Sequence, residues 1–272
     1  MVRPSHWRIP GMTRGRKKAI RLAFSGAVAT YDGEAQVHRH TAERLAGKIS
    51  GLPLGPSPIV LEVGCGTGLF TAELAALFAN ATLLISDLSP AMVESCRRRL
   101  GEKPGRFFLA MDGEAPVSPN NLDMIASSLA VQWFSDLGYG LGRLAACLKP
   151  GGVLAFATFG ADTFREWRKA NDELGHSPGA YLYLRRDQLE RLLAPLGRVL
   201  VDEERLQVSY PDGLAFLRSL KALGGHLPHP GYRQLSPGAL RRVLGYFDRM
   251  AAGEDGVVLT HHLLYAVVFR ER

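Results

Sequence analysis

The segment IVLEVGCGTG, residues 59–68, constrains the fold more than any other part of the chain. Apolar residues run straight into glycines at 64, 66 and 68, and a helical pattern follows over 69–79. A strand that feeds a glycine turn and then a helix aims backbone N–H groups and a helix N-terminus at one point in space. Glycine lets that backbone approach a ligand without a Cβ in the way. The same alternation continues downstream. ATLLIS (81–86) ends in Asp87, and Ser89 followed by Pro90 opens a helix that runs to Leu100. FFLAM (107–111), LDMIASS (122–128) and VLAFATF (153–159) read as further strands, with a helix over 136–148 that stops at Lys149-Pro150-Gly151-Gly152. Strands separated by helices of roughly ten residues require right-handed crossovers and a mainly parallel sheet.

The expected fold class is therefore α/β, a Rossmann-like sheet, mostly parallel, with helices before it from about residue 17 and over 34–49. After residue 160 the rhythm changes. Helices near 161–174, 186–194, 211–223 and 236–250 alternate with strand candidates at 198–209 and 257–269, and those last two strands are expected to pair antiparallel at the sheet edge. The stretch 211–250, inserted between them, is the candidate lid or substrate element. The expected organisation is a basic, disordered tail over 1–16 and a single domain over 17–272.

Composition narrows the function classes. With 46% hydrophobic and 22% charged residues in 272, the chain can build one core without staples. Cys65, Cys96 and Cys147 form no C-x-x-C pair, which argues against zinc or disulfides and for a reducing compartment. No apolar run approaches the ~20 residues a bilayer span needs, and no apolar stretch follows the first basic residues as in a secretory signal. Met12 offers an alternative start. The formal charge of +7 is local: Arg3, Arg8, Arg14, Arg16, Lys17, Lys18 and Arg21 all precede the first acid, Asp32, and from there acids equal bases. That distribution disfavours a uniformly cationic nucleic-acid binder and suits an acidic partner near the N-terminus.

Taken alone, the glycine loop is as compatible with a tight structural turn as with a ligand site. No G-K-[ST] follows it, so a Walker phosphate loop is excluded. Glu62 precedes the glycines and suits a cationic ligand. Asp87 ends the second strand about 20 residues on, where an acid can accept both ribose hydroxyls. Asp112-Gly113 follows the third strand, placing a carboxylate that can accept an exocyclic adenine amine or simply close a surface turn. At these spacings E-V-G-C-G-T-G, D-L-S and M-D-G resemble the class I S-adenosylmethionine-dependent methyltransferases. The resemblance implies that Glu62, Gly64, Cys65, Gly66 and Gly68 hold the methionine end, Asp87 and Leu88 the ribose, and Asp112 and Gly113 the adenine, with Ser128 and Leu129 completing the cofactor set. Met92 either packs on the adenine face or belongs to the core.

The methyl acceptor is read from what is missing. Ile125 to Trp133 reads IASSLAVQW, without the Pro-Pro of base-amine methylases, and no cysteine stands in a Pro-Cys setting for cytosine C5 chemistry. Carbon acids and phenols need a general base. Carboxylates are already anionic nucleophiles, so alignment and desolvation suffice. AFSGAVATYD (23–32), SLAVQW (128–133), LKPGGVLAFATFG (148–160), LRSLKALGG (217–225) and THHLLY (260–265) are together similar to the malonyl-acyl-carrier-protein O-methyltransferases of biotin synthesis, from about residue 17 to the C-terminus.

This second resemblance implies S-adenosylmethionine as cofactor, S-adenosylhomocysteine as product, no metal, and methylation of the free carboxylate of a malonyl thioester on acyl-carrier protein or coenzyme A. The methyl ester would start pimeloyl synthesis for biotin. Tyr31 either closes over the methyl donor or packs the helix that follows it. Trp133 is expected as a pocket wall positioning substrate. His38 stands where the family often has Gln, as a substrate contact. Arg218 and Lys221, three apart on one helical face, either bind the malonyl carboxylate or form a solvated or carrier-contacting face. His261 and His262 alternate to opposite sides of a strand and read as structural. The expectation is a cytoplasmic monomer with no nucleic-acid or membrane partner. Two alternatives stay open: a methyltransferase for another small carboxylic acid or quinone precursor, and a methyltransferase-fold assembly factor for a respiratory complex, whose F-G-x-D-T motif is matched at Phe159-Gly160-Ala161-Asp162-Thr163.

Overall fold

The computed structural model describes residues 14–117 and 120–271. Three helices come first: α1 (Arg14–Ala27), the single turn α2 (Tyr31–Glu34) and α3 (Gln36–Ile49). Residues 14–16 therefore belong to a helix and not to the expected tail. Their helix is held by its own basic side chains, since Arg16 donates to the Tyr181 hydroxyl and the Pro228 carbonyl. The rest of the expected tail, 1–13, lies outside the described residues.

The βα alternation follows as β1 (Ile59–Val63), α4 (Leu69–Leu77), β2 (Thr82–Asp87), α5 (Pro90–Leu100), β3 (Arg106–Ala110), β4 (Leu122–Ser128), α6 (Leu137–Ala146) and β5 (Leu148–Phe159). Then come α7 (Arg165–Glu173), α8 (Arg186–Leu193), β6 (Arg198–Tyr210), α9 (Gly213–Ala222), α10 (Pro237–Met250), the short β7 (Ala252–Gly253) and β8 (Gly256–Phe269). Helix starts follow capping chemistry: Ser89, Asp136, Asp212 and Ser236 accept the backbone N–H groups of Met92, Tyr139, Ala215 and Ala239. α7 begins later than the sequence suggests because Phe164, with φ of 58°, turns the chain through the left-handed region first.

The strands lie in the order β3-β2-β1-β4-β5-β8-β6, with β7 paired to β8. β1 to β5 are mutually parallel. β8 runs antiparallel to β5, and β6 antiparallel to β8 along its whole length, from Arg198 opposite Phe269 to Tyr210 opposite Val257. Side-chain alternation divides the core. Val60, Met124, Ala155 and Tyr265 face α3, α4 and α5, whereas Leu61, Ile125, Phe156 and Ala266 face α6 and α8. A third cluster, built on Phe164, Trp167, Phe216, Val243 and Phe247, packs α7, α9 and α10 together. So the 211–250 stretch is two helices joined by an irregular segment, and its helices pack on α7 through their own apolar seam. Among the described residues no helix is long and apolar enough to cross a membrane, and no group of three potential metal ligands occurs.

Candidate active site

In the sheet, β1 has β2 on one side and β4 on the other. Reversal of strand order there opens a crevice at the carboxyl ends of the strands. It holds a cavity of about 740 Å³, including its mouth, within the usual range for ligand sites.

The glycine loop forms the floor. Gly64 and Cys65 both donate their N–H groups to the Ser86 carbonyl, at 2.8 and 2.9 Å, which ties the loop to the end of β2. Asp87 then reaches back: its Oδ2 accepts the Gly66 N–H at 3.0 Å and its Oδ1 the Ser89 N–H at 2.7 Å. Burial pushes the Asp87 pKa up, and these two donors oppose that rise. Each carboxylate oxygen keeps a free lone pair, so the group can still accept two further hydroxyls. Gly64, Gly66 and Gly68 all have positive φ. At Gly64 a Cβ would stand 2.2 Å from the Ala130 Cβ, whereas at Gly66 it would meet only the Tyr31 hydroxyl at 3.7 Å.

Helices α1 and α2 form the roof. Tyr31 is 8% exposed, and burial, then the charges of Asp87 and Asp32, hold its hydroxyl protonated. Asp32 accepts from Thr67 Oγ1 at 2.6 Å and pairs with Arg99, so α2 is fastened to the glycine loop. From α1, Lys17, Ile20 and Phe24 enter the cavity at helical spacing. Lys17 Nζ lies 2.5 Å from Asp112 Oδ2 and 2.7 Å from Glu114 Oε2. Burial disfavours its charge, but the two carboxylates outweigh that and hold its pKa above the ordinary value. Leu129 also lines the cavity, with φ of 49°, a conformation an L-residue adopts at a cost and one that clusters at functional sites.

The cavity brings together Tyr31, Gly64, Gly66, Asp87, Leu88, Met92, Asp112, Gly113, Ser128, Leu129 and Trp133. A smaller recess beside it adds His38 and Cys65 to Tyr31, Gly64, Gly66 and Ser128. S-Adenosylmethionine fits these residues: Gly64 and Gly66 present the floor without Cβ atoms, Asp87 has acceptor capacity to spare, and His38 Nδ1 is buried without a partner among the described residues.

Comparison with known proteins decides the family. The chain is 36% identical over 246 residues to the malonyl-[acyl-carrier protein] O-methyltransferase of Magnetococcus marinus, covering 90% of each protein. The chain belongs to the malonyl-[acyl-carrier protein] O-methyltransferase family. It is also 42% identical over 236 residues to the biotin biosynthesis bifunctional protein BioCD of Bordetella avium, covering 86% of this chain and half of that protein. A methyltransferase-domain family model matches residues 61–156. Among solved structures, phosphoethanolamine N-methyltransferase 2 of Haemonchus contortus, in complex with S-adenosyl-L-methionine, shares the fold with a TM-score of 0.58 at 16% identity, covering 96% of this chain and 61% of that one.

Within this O-methyltransferase two expected cofactor residues, Glu62 and Gly68, fall away from the cavity, and Arg218 and Lys221 stand on the solvated face that was the alternative to carboxylate binding. Glu62 does not border the cavity. Val63 does, and alternation along β1 turns Glu62 to the opposite face, where it is 2% exposed and neither oxygen has a hydrogen-bond partner among the described residues. Burial raises its pKa well above the carboxylate range. Gly68 serves as the N-cap of α4, beneath Cys96 and Leu100. Arg218 and Lys221 are exposed, because α9 turns Phe216, Leu217 and Leu220 inward. The structure also gives Asp112 a partner in Lys17. Lys17, Phe24, Glu114 and Phe134 were missed as site residues. The signal for the first two was the Lys17–Ile20–Phe24 spacing on α1, and for Glu114 its place two residues after Asp112.

His262 is structural: its Nδ1 accepts the Asp162 N–H at 3.2 Å and its Nε2 pairs with Glu203 at 3.1 Å. His38 and His261 differ. Each has a buried Nδ1 without a partner among the described residues, and burial lowers each pKa from 6.5 to about 4. The unfolded chain therefore binds more protons than the folded one between pH 6.5 and 4, and stability falls as pH drops through that window. The loss should reach roughly 3 kcal/mol for each histidine on full titration, at roughly 1.4 kcal/mol per pKa unit. Denaturant titrations at pH 7 and pH 4.5 check this: His38→Gln and His261→Phe should each flatten the pH dependence, and an unchanged slope contradicts the assignment.

Proposed function

We propose that this methyltransferase transfers a methyl group from S-adenosylmethionine to the free carboxylate of a malonyl thioester carried on acyl-carrier protein. The methyl ester starts pimeloyl synthesis for biotin. The observation that carries the reading is the similarity to a malonyl-[acyl-carrier protein] O-methyltransferase over 90% of both chains.

The chemistry of the cavity supports it. When bound, S-adenosylmethionine supplies an electrophilic methyl group on a sulfonium. The chain's part is to bind, orient and exclude water, because a carboxylate is deprotonated at neutral pH and needs no general base. Asp87 takes the ribose hydroxyls, Met92 lies against the adenine, and Asp112 serves the adenine amine while shared with Lys17. Tyr31, kept protonated, covers Gly66 and shuts water from the methionine end. His38, kept neutral, offers a donor to an anionic oxygen without cancelling its charge, which a guanidinium would do. Trp133 forms the wall on the acceptor side. No residue acts as base, and no metal takes part.

The partner fits the charge pattern. Lys18 and Arg21 are exposed on α1, and residues 211–250 carry Arg218, Lys221, Arg233, Arg241, Arg242 and Arg249 against Asp212 and Asp248. An acidic carrier protein suits this side of a monomeric, cytoplasmic enzyme that engages neither nucleic acid nor membrane. Expression in a biotin auxotroph lacking its own malonyl-carrier methyltransferase should restore growth without biotin, and an Asp87→Ala variant should not. Failure of the wild-type chain to rescue, at normal expression, contradicts the pathway assignment.

A further inference from the structure

A second, larger cavity lies behind Trp133. It encloses about 1320 Å³ including its mouth, between α7, α9, the 178–183 segment and the 225–240 segment. Trp133 borders both cavities and stands edge-on to Phe24 of the cofactor side, at 5.4 Å between ring centroids, and to Tyr181 of the far side, at 5.7 Å. The interior is apolar and aromatic, with Trp167, Phe216, Leu220 and Leu235 among its walls, while Tyr181, Tyr183, Tyr232, Gln234 and His226 add polar groups to the lining. A three-carbon acid fills little of this space. A long, neutral, flexible arm with a few amides matches its mixed lining.

The rim adds a charge argument. Lys221 follows the wall residue Leu220 on α9, and its charge, after burial, lowers the pKa of His226 at the lining. Arg218, Lys221, Arg233, Arg241 and Arg242 are exposed and make no ion pair among the described residues. The only two acids of the same stretch, Asp212 and Asp248, place their carboxylates at the start of α9, where they accept the Ala215 N–H at 2.6 Å and the Gly213 N–H at 2.8 Å. The 211–250 stretch thus carries net positive charge beside an apolar cavity, suited to an anionic group at the end of a neutral arm.

We infer that the second cavity takes the phosphopantetheine arm of the acyl thioester, with the phosphate at Lys221 on the rim and the acyl carboxylate passing Trp133 to reach the methyl donor. The inference rests on the thioester reading of the substrate and adds how that substrate is gripped. Carrier protein and coenzyme A present the same arm, so the chemistry is shared and the test separates the sources.

Initial rates are measured with the full chain, S-adenosylmethionine, and malonyl thioesters of acyl-carrier protein, coenzyme A, phosphopantetheine, pantetheine and N-acetylcysteamine. kcat/KM should fall at least tenfold from phosphopantetheine to pantetheine and again from pantetheine to N-acetylcysteamine. A further gain of carrier protein over coenzyme A assigns the natural source to the protein. Leu220→Trp on α9 and Leu235→Trp on the 225–240 segment, which add bulk to the cavity lining, should each collapse the dependence on arm length while S-adenosylhomocysteine affinity shows that the fold is intact. Lys221→Gln should remove only the phosphate step. Equal kcat/KM for every thioester, or variants that lower all of them equally, overturns the inference while leaving the reaction in place. No methyl ester from any malonyl thioester overturns the substrate reading and the inference with it.

Discussion

Replacing Asp87 with Ala should weaken S-adenosylhomocysteine binding by about ten- to a hundredfold, ~1.5–3 kcal/mol, the size of loss expected when charge-assisted acceptors disappear from a buried site. The effect has two sources. Asp87 is the acceptor proposed for the ribose hydroxyls, and it also holds the glycine loop in place through the N–H groups of Gly66 and Ser89. Asp87→Asn keeps one carbonyl acceptor and should fall between the wild type and the alanine variant. Calorimetric titration measures the affinities, and thermal unfolding without ligand measures how much of the change belongs to the loop. Unchanged affinity in the alanine variant contradicts the ribose assignment.

Gly64→Ala should be more damaging to the fold. The new Cβ would lie 2.2 Å from the Ala130 Cβ, and neither atom can rotate away, so the loop or the 129–131 segment has to move. The φ of 80° adds ~1–2 kcal/mol for an L-residue, and overpacking adds ~1–3 kcal/mol. A loss of roughly 2–5 kcal/mol in stability, together with loss of cofactor binding, is expected. Gly66→Ala provides the contrast. There the Cβ meets ordinary space at 3.7 Å, so stability should fall only by the φ strain, while binding is still lost because the methyl group intrudes on the ligand. Chemical denaturation separates the two variants, and a Gly64→Ala protein as stable as wild type contradicts the packing account.

The parts of this molecule that depend on local pattern were readable in advance. The βα alternation, the Ser89 cap and the acids that end β2 and follow β3 are local features, and all stand where spacing placed them. The antiparallel edge was also legible, since the strand candidates at 198–209 and 257–269 fall where the strand–helix rhythm of the parallel part breaks. What escaped depends on direction. Glu62 sits in the right motif, but strand alternation sends its side chain under the sheet and gives the cavity Val63. Arg218 and Lys221 share a helix face, as read, and that face is the wet one because Phe216 and Leu220 take the other. Lys17 escaped for a different reason: its partners Asp112 and Glu114 lie far along the chain, and only docking of α1 onto the crevice joins them. The wall formed by Trp133 was expected, whereas the second cavity behind it arises from contacts among α7, α9 and the 225–240 segment that no local pattern encodes.

The central claim is a reaction, and one measurement addresses it directly. Purified full-length protein is incubated with S-adenosylmethionine and malonyl-acyl-carrier protein, and the carrier protein is weighed by mass spectrometry before and after. The account predicts a gain of one methyl group on the malonyl moiety, absent without S-adenosylmethionine and strongly reduced with the Asp87→Ala variant. A carrier protein of unchanged mass, in the presence of an enzyme that calorimetry shows to bind S-adenosylhomocysteine, would contradict it.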